Sequence, residues 1–236
     1  MEKVLLHSCC APCSAAIIEW MLAHDMRPTV FYFNPNIYPL DEYVKRKNEL
    51  SHHCERLGLE VIDGDWDHAA WVAATRGLEH EPERGARCQV CFNLRLEAAA
   101  AKCAKLGLTR FTTTLASSRW KSLEQVNAAG NLAASRHPGV TFWEKNWRKD
   151  GLQDRRGVLL KEFGFYNQHW CGCEYSWRDT LVRDLEKLAR SISDTLSSEF
   201  FTKVKDRKST RPELQSPMYL VCRLLLEKKT EGWYQT

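Results

Sequence analysis

Short apolar runs and longer amphipathic segments alternate along the first two-thirds of the chain. Runs rich in β-branched and aromatic residues predict five strands, at residues 4–8, 28–34, 59–66, 110–116 and 140–147. Segments whose apolar residues recur every three to four positions predict four helices, at residues 13–25, 40–58, 88–107 and 122–137. Ser122 and Gln125 have the spacing of a capping box at the start of the last of these helices. Alternation of this kind predicts an α/β fold with a parallel sheet covered by helices.

The last quarter of the chain has a different pattern. Residues 177–196 predict an amphipathic helix, residues 200–215 a basic loop, and residues 216–229 an apolar element of undetermined type. We therefore expect a Rossmann-like catalytic domain over residues 1–176 and a helical, basic C-terminal extension over residues 177–236.

Composition and charge narrow the class of protein. The 236 residues are 44% hydrophobic and 27% charged, which is ordinary for a soluble globular chain. The apolar stretch at residues 13–25 contains Glu19 and is too short to span a bilayer, and the N-terminus has no pattern of a secretion signal. We expect a cytoplasmic protein without a membrane partner. The net charge of +4 permits a nucleic-acid partner without requiring one.

Cysteine is the informative residue type. The chain has ten cysteines, and in a reducing compartment a metal site or redox chemistry explains them better than disulfides. Seven of them form three groups: Cys9, Cys10 and Cys13; Cys88 and Cys91; Cys171 and Cys173. The first group follows the first predicted strand, at the sheet edge where α/β proteins bind ligands. Cys54, Cys103 and Cys222 lie in apolar segments and are expected to be small buried hydrophobic residues.

Seven thiols exceed the needs of one metal site. A tetrahedral zinc ion or a [4Fe–4S] cluster takes four, and three thiolates around a second metal would leave it an open, catalytic position. The adjacent Cys9 and Cys10 are expected to point in different directions and so to serve two neighbouring centres. For Cys88 and Cys91 alone, a structural zinc ion is as good an explanation as a cluster, and a thioredoxin-like dithiol is a further alternative.

Five motifs, in order, resemble those of the QueH family of epoxyqueuosine reductases: LLHSCCAPCS, FYFNPNIYPLDEYVKRK, CQVCFNLRLEAAA, FTTTLASSRWKS and KEFGFYNQHWCGCEYS. The resemblance covers residues 4–176. It implies a cobalamin-independent enzyme that removes the epoxide oxygen from epoxyqueuosine at the tRNA wobble position to give queuosine. It also implies a [4Fe–4S] cluster beside a single iron, on a fold similar to the nucleotide-hydrolase and PP-loop-like group. The turn CCAPCS has no glycines that would admit a nucleotide phosphate.

The resemblance implies two ligand sets. Cys88 and Cys91 hold the cluster with one of Cys9 or Cys10 and one of Cys171 or Cys173, and Cys13 and the remaining two hold the single iron. The preferred division places Cys10 and Cys171 on the cluster and leaves Cys9, Cys13 and Cys173 for the single iron. Some relatives carry Asp where this chain carries Cys13. An all-thiolate site is softer than one with a carboxylate, so zinc is an alternative occupant of the isolated protein.

Removal of the epoxide oxygen takes two electrons, two protons and a Lewis acid. The single iron, with its open coordination position, would be the Lewis acid. The electron donor is not identified by the sequence. The candidate proton donors are Tyr32, Tyr38, Tyr166 and His169, and nothing in the sequence chooses among them.

Basic residues near aromatic ones suggest where tRNA binds. Arg119, Trp120 and Lys121 follow a predicted strand and are the preferred RNA contacts. Residues 45–47 and 145–156 are also basic, and Trp143 and Trp147 flank the start of the second run. Such charge runs are more often solvated helix faces.

Two other classes of protein remain as alternatives. A zinc-stabilised RNA-binding module would be colourless and would unfold with a chelator. A thiol–disulfide oxidoreductase would hold no metal and would have one cysteine of strongly lowered pKa.

Overall fold

The protein is built on a five-stranded sheet in which all neighbouring strands are parallel, in the order β3-β2-β1-β4-β5. The structure is a computed structural model and describes residues 2–205. The strands are β1 (Glu2–His7), β2 (Met26–Tyr32), β3 (Val61–Asp63), β4 (Arg110–Thr113) and β5 (Thr141–Phe142). The predicted α/β class with a helix-covered parallel sheet is confirmed.

Helices connect the strands and cover the sheet. Those in the described residues are α1 (Ala11–Ala23), α2 (Leu40–Arg56), α3 (His68–Ala74), α4 (Ala86–Lys105), α5 (Leu123–Ser135), α6 (Leu152–Glu162) and α7 (Glu174–Lys205), and a 3₁₀ turn (Thr114–Ser117) follows β4. Helix α1 packs against α2 and α6, and α4 packs along α5. Helices α3 and α6 were not predicted from the sequence.

The central strand β1 explains why its sequence is a continuous apolar run. Val4, Leu5 and Leu6 are all fully buried, because helices cover both faces of the sheet at this strand. Each leucine side chain removed from water here contributes about 2 kcal/mol to folding. A strand with one solvated face would instead alternate apolar and polar residues.

The order of the strands creates a switch point beside β1. The chain leaves β1 for β2 and β3 on one side and then crosses to β4 on the other side. His7 and Thr113 are the last paired residues of β1 and β4. Ligands of open α/β sheets bind beyond the carboxyl ends of the strands at such a point, and Cys9 follows β1 there.

Strand β5 is much shorter than the predicted segment of residues 140–147. Only Thr141 and Phe142 pair with β4. The chain then leaves the sheet so that Trp143 and Trp147 pack on Trp20 of α1, with ring centroids 6.0 and 5.5 Å away. Trp147 is fully buried. Burial of these indoles outweighs the few ladder hydrogen bonds that a longer edge strand would gain.

Two predicted helix starts are adjusted by the structure. Helix α1 begins at Ala11, because Pro12 is well suited to the first turn, and it is buried on most sides rather than amphipathic. The predicted cap of α5 is half formed. Ser122 Oγ accepts a hydrogen bond from the backbone N–H of Gln125 at 3.2 Å, but the Gln125 side chain donates to the carbonyl of Arg84.

The chain divides into two compact units at Trp177, inside α7. The helix predicted at residues 177–196 is confirmed as part of α7, which continues through residues 200–205 of the predicted loop. The remainder of that loop, the apolar segment 216–229 and Cys222 lie outside the described residues. The predicted domain boundary at residues 176 and 177 stays a prediction. Between residues 2 and 205, no helix has the length and apolar character needed to cross a membrane.

Candidate functional site

All three cysteine groups lie at the N-terminal ends of helices. Cys9 and Cys10 precede α1 and Cys13 lies in its first turn, Cys88 and Cys91 lie in the first turns of α4, and Cys173 directly precedes α7. The free backbone N–H groups and the dipole at a helix N-terminus favour an anionic thiolate over a neutral thiol.

The thiols of Cys9, Cys10 and Cys13 converge on one point. Their sulfur atoms all lie within 4.8 Å of one another, and those of Cys9 and Cys10 are 3.7 Å apart. The expectation that Cys9 and Cys10 point in different directions is therefore wrong. Strand β1 ends at His7 and α1 begins at Ala11, so Cys9 and Cys10 lie between the two elements and the first turn of the helix brings Cys13 back toward the pair. Three converging sulfurs are a donor set for a soft metal ion.

Hydrogen bonding distributes the protons unequally within this group. Bonds from Cys10 and Cys13 lower the pKa of the Cys9 thiol well below its usual value, and the nearby Arg95 adds to the effect. Bonds to Cys13 and Cys9, together with burial, raise the pKa of Cys10. The bond with Cys10 lowers the pKa of Cys13, but the bond to Cys9 and burial outweigh it and raise that pKa to about 12. Cys9 is thus the member of the group that loses its proton most readily, and a metal that binds all three thiols must displace the protons of the other two.

The downstream cysteines form a second group. Cys88 interacts electrostatically with Cys171 and Cys91, and Cys173 interacts with the same two residues. Burial, followed by repulsion from Cys171, raises the pKa of Cys88 to about 11 and that of Cys173 to about 12. Cys91 and Cys173 share a small apolar cluster with the fully buried Trp71. These four thiols have the number required by a [4Fe–4S] cluster. Within residues 2–205, however, only Cys9, Cys10 and Cys13 bring three potential metal-ligand atoms within 4.8 Å of one another.

Cations line both groups. The ammonium of Lys121 lies 2.8 Å from Cys171 Sγ and also interacts with the charge of Cys9. The buried guanidinium of Arg95 acts on Cys9 and Lys121, and its Nη2 donates to Asn34 Oδ1. Lys121 thus contacts one thiol group directly and interacts electrostatically with a member of the other.

Arg46 holds the chain at Cys171 in place. It is buried, forms a 2.6 Å ion pair with Glu42 one turn earlier on α2, and donates to the carbonyl oxygens of Cys171 and Trp170 at 3.3 and 3.5 Å. The backbone N–H of Tyr38 donates to the carbonyl of the intervening Gly172 at 2.9 Å. Residues 170–172 are therefore anchored to the segment before α2 and to α2 itself.

The site has a polar wall at the switch point. The backbone N–H of Cys9 donates to Thr114 Oγ1 at 3.3 Å, and that hydroxyl donates to Cys9 Sγ at 3.5 Å. His7 is fully buried, with Nδ1 2.8 Å from Thr113 Oγ1 and Nε2 3.0 Å from the carbonyl oxygen of Phe33. Burial, followed by repulsion from Arg95, lowers the pKa of His7 to about 3. His7 is a neutral, hydrogen-bonded structural residue.

The four predicted proton donors lie in different surroundings. Tyr32 is fully buried and donates to the carbonyl of Tyr43 at 3.1 Å, and burial raises its pKa. Tyr166 donates to Glu42 at 3.2 Å. Tyr38 and His169 are exposed. Tyr38 is hydrogen-bonded to the CGC turn, residues 171–173, and His169 precedes that turn by two residues in the sequence.

The three predicted RNA contacts do not share one environment. Trp120 is 62% exposed, and the Arg119 guanidinium carbon lies 5.0 Å from its ring centroid. The side chain of Lys121 instead turns toward Cys171. Of the other basic runs, Arg46 is buried and Trp147 has no exposed ring to offer a base.

Sequence reasoning missed the role of the buried cations. A signal for Arg95 was present, because Cys88, Cys91 and Arg95 follow one another at steps of three and four and so share one face of α4. The i, i+4 pair of Glu42 and Arg46 was a weaker signal, since such pairs are common on exposed helices. Cys54 and Cys103 are fully buried, as predicted.

The fold and the site together define a class of protein: a parallel-sheet α/β protein that gathers thiols and cations at the switch point beside β1. Residues 4–179, which contain all seven clustered cysteines, match the family model described as epoxyqueuosine reductase QueH. The chain belongs to the QueH family, as its five motifs predicted, and that family consists of oxidoreductases of tRNA modification.

Curated relatives match over the same part of the chain. It is 45% identical over 179 residues to the epoxyqueuosine reductase QueH of Haemophilus influenzae, covering 76% of this chain and 73% of the relative. The QueH of Acinetobacter baylyi is 44% identical, with 76% and 82% covered, and that of Thermotoga maritima is 34% identical, with 75% and 91% covered. A solved structure described as a "predicted subunit of tRNA methyltransferase" from Methanocaldococcus jannaschii is 12% identical with a TM-score of 0.48, covering 72% of this chain and 94% of that one.

Proposed function

We propose that this protein is an epoxyqueuosine reductase, which removes the epoxide oxygen from epoxyqueuosine in tRNA to give queuosine. The observation that carries the proposal is the convergence of Cys9, Cys10 and Cys13 at the switch point, beside a second group of four thiols and a shared lysine. The names of the curated relatives support the same reaction.

The thiols fit an iron–sulfur cofactor. Cys9, Cys10 and Cys13 offer sulfur donors within 4.8 Å of one another, and the four downstream thiols interact electrostatically with one another. A [4Fe–4S] cluster would supply electrons singly, and an adjacent single iron would supply a Lewis acid. The sequence-based division assigns Cys10 and Cys171 to the cluster with Cys88 and Cys91. Proximity alone favours a different division, in which Cys10 stays with Cys9 and Cys13.

The surrounding side chains favour the charges that this chemistry needs. Arg95 lowers the pKa of Cys9 against the effect of burial, and the ammonium of Lys121 donates a hydrogen bond to Cys171 Sγ. The hydroxyl of Thr114 holds Cys9 in its place through its backbone N–H and its sulfur atom. Arg46 fixes the backbone that carries Cys171.

The reaction consumes two electrons and two protons: both C–O bonds of the epoxide break, a C=C bond forms, and the oxygen leaves as water. Electrons come from an external donor. Of the four candidate proton donors we retain Tyr38 and His169, because both are exposed and can be reprotonated from solvent. The hydroxyl of Tyr32 is enclosed in the core and already donated to a carbonyl.

For the tRNA we propose Arg119 and Trp120 as contacts. An exposed indole with a guanidinium over its face suits stacking on an unpaired base and contact with its phosphate. Lys121, the third predicted contact, has its ammonium directed to the thiol of Cys171.

The metal content of anaerobically purified protein is the first test of the proposal. About five irons and four sulfides per chain are expected, with an EPR signal that appears on reduction. One zinc and no sulfide after anaerobic reconstitution would favour the RNA-binding module, and absence of any metal would favour the thiol–disulfide oxidoreductase.

Activity and ligand assignment follow from the loaded protein. Reduced enzyme and epoxyqueuosine-containing tRNA should yield nucleosides lighter by one oxygen, and Cys88→Ala should lose both cluster absorbance and turnover. Cys10→Ala separates the two divisions of the thiols. Loss of the cluster absorbance supports the sequence-based division, whereas a retained cluster with a lost iron supports the division by proximity.

A further inference from the structure

The side chain of Lys121 has an unusual partner for a lysine. Its ammonium donates to Cys171 Sγ at 2.8 Å rather than to a carboxylate. No carboxylate is described as a hydrogen-bond or ion-pair partner of this ammonium within residues 2–205. The ammonium of Lys121 is therefore in direct contact with the sulfur atom of a candidate cluster ligand.

The backbone around Lys121 is held so that this contact is built in. Arg148 donates to the carbonyl of Lys121 at 2.8 Å. Arg84 donates through Nε to the carbonyl of Trp120 and through Nη2 to that of Arg119, both at 2.9 Å. The N–H of Lys121 donates to the carbonyl of Ser118 at 3.2 Å. Guanidinium groups from two separate segments thus fix three successive carbonyls, which preorganises the lysine.

We propose that Lys121 is a positioning residue that sets the reduction potential of the iron–sulfur centre ligated by Cys171. The inference rests on the proposed function, since it assumes that the thiol of Cys171 ligates that centre. A one-electron reduction adds a negative charge, and a nearby cation or a hydrogen bond to a ligand sulfur stabilises the reduced state more than the oxidised one. Lys121 provides both and so makes the centre easier to reduce.

The proposal differs from a role in phosphate binding. A lysine that binds tRNA phosphate is a solvated, mobile cation, and its removal weakens binding and reduces the salt dependence of affinity. A lysine that tunes a cofactor changes the potential of the protein in the absence of RNA. Potential and RNA affinity therefore separate the two roles.

The test is a potentiometric titration of the full-length, anaerobically loaded protein without tRNA, followed by EPR. Lys121→Met keeps an unbranched side chain one heavy atom shorter and removes the charge. The midpoint potential of this variant should shift to more negative values at unchanged iron and sulfide content. Lys121→Gln should shift less, since it keeps a donor, and Lys121→Arg should return the potential toward that of the wild type. The matched control is Lys105→Met, because this exposed lysine lies 14 positions after Cys91 on α4, roughly 21 Å along the helix.

The possible results separate the roles of Lys121. A midpoint potential that is unchanged in Lys121→Met would overturn the proposal, as would an equal shift in Lys105→Met. An unchanged potential together with weaker binding of unmodified tRNA would assign Lys121 to RNA instead. If Lys121→Met does not assemble a cluster, the comparison of Lys121→Gln with Lys121→Arg decides in the same way. Wild-type protein that binds no iron and sulfide would overturn the proposed cofactor and this inference together, whereas a loaded but inactive wild type would overturn only the proposed reaction.

Discussion

The anchoring of the CGC turn predicts a large effect of one buried substitution, Arg46→Met. The guanidinium of Arg46 is paired with Glu42 at 2.6 Å and donates to the carbonyls of Cys171 and Trp170. Methionine fills a similar volume but leaves the Glu42 carboxylate without its cation in a buried position. The only hydrogen bond described for that carboxylate besides those from Arg46 is from the Tyr166 hydroxyl, at 3.2 Å.

The magnitude follows from the burial of the pair. The two side chains are 3% and 7% exposed, and breaking a buried pair from one side typically costs 3–5 kcal/mol. Because Tyr166 still donates to the carboxylate, we expect the lower end of that range, about 3 kcal/mol. For a chain of this size that corresponds to a fall in Tm of about 6–12 °C. The double variant Arg46→Met/Glu42→Leu should recover at least half of the loss, because it leaves no buried charge.

A neighbouring ion pair of similar length provides the control. Lys47 lies 2.7 Å from Asp63, but these side chains are 29% and 51% exposed. Lys47→Met should therefore cost less than about 1 kcal/mol. Thermal and urea unfolding under reducing conditions would measure all three variants, and iron and sulfide content would report the anchoring of Cys171. Equal losses for Arg46→Met and Lys47→Met, or a double variant no more stable than Arg46→Met, would refute the argument from burial.

Three further predictions concern stability and metal content. Gly157→Ala, inside α6 where a new Cβ meets no other atom, should raise the free energy of unfolding by about 0.5–1 kcal/mol. Gly130→Ala on α5 should lower it by about 1–2 kcal/mol, because the new Cβ overlaps the ring of Phe142. Urea unfolding checks both variants, and a change of the same sign in both would contradict the packing. Burial, followed by repulsion from Arg56, lowers the pKa of His53, so the folded state loses stability as pH falls below about 6.5 toward that lowered pKa. His53→Leu should flatten the pH dependence between pH 7.5 and 5.5, and an unchanged slope would exclude His53 as its source. Cys13→Ala should keep the absorbance of the cluster and lose turnover, and full turnover would remove Cys13 from the site.

The main elements of the sheet were predictable because their sequences are locally consistent. The run around Leu5 is apolar at every position, which is typical of a strand covered on both faces, and β1 is the central strand. Helix α2 was predicted at residues 40–58 and lies at Leu40–Arg56. In each case the periodicity and the final burial agree.

The elements that were missed depend on distant contacts. The segment 140–147 has strand propensity throughout, but only two of its residues pair with β4. Trp143 and Trp147 instead pack their rings against Trp20 of α1, which buries more apolar surface than a longer edge strand would. Helix α3 has only seven residues, too few for a helical period to be recognised against the strand and loop signals around it.

The basic run Lys45–Arg46–Lys47 shows why local charge is a poor guide to environment. Successive residues of a helix point about 100° apart, so a run of three cations is not one surface. Lys45 lies 3.4 Å from the ring centroid of Tyr166, Arg46 turns inward to Glu42 and Cys171, and Lys47 pairs with Asp63 at the surface. Three consecutive basic residues thus make a cation–ring contact, a buried ion pair and a solvent-exposed ion pair.

In the candidate site, too, the features that depend on local sequence were predictable and those that depend on distant contacts were not. Cysteines are scarce, and their spacing is local, so Cys9, Cys10 and Cys13 were identified from five consecutive positions and converge as a metal site requires. Their cations come from far along the chain: Lys121 reaches Cys171 across 50 positions and Arg46 reaches it across 125. No local pattern encodes such a contact, since lysine and arginine are abundant on every surface and become informative only when they are buried. The candidate ligands could therefore be predicted from the sequence, whereas the position of the cations beside them depends on how the sheet returns the chain to the switch point.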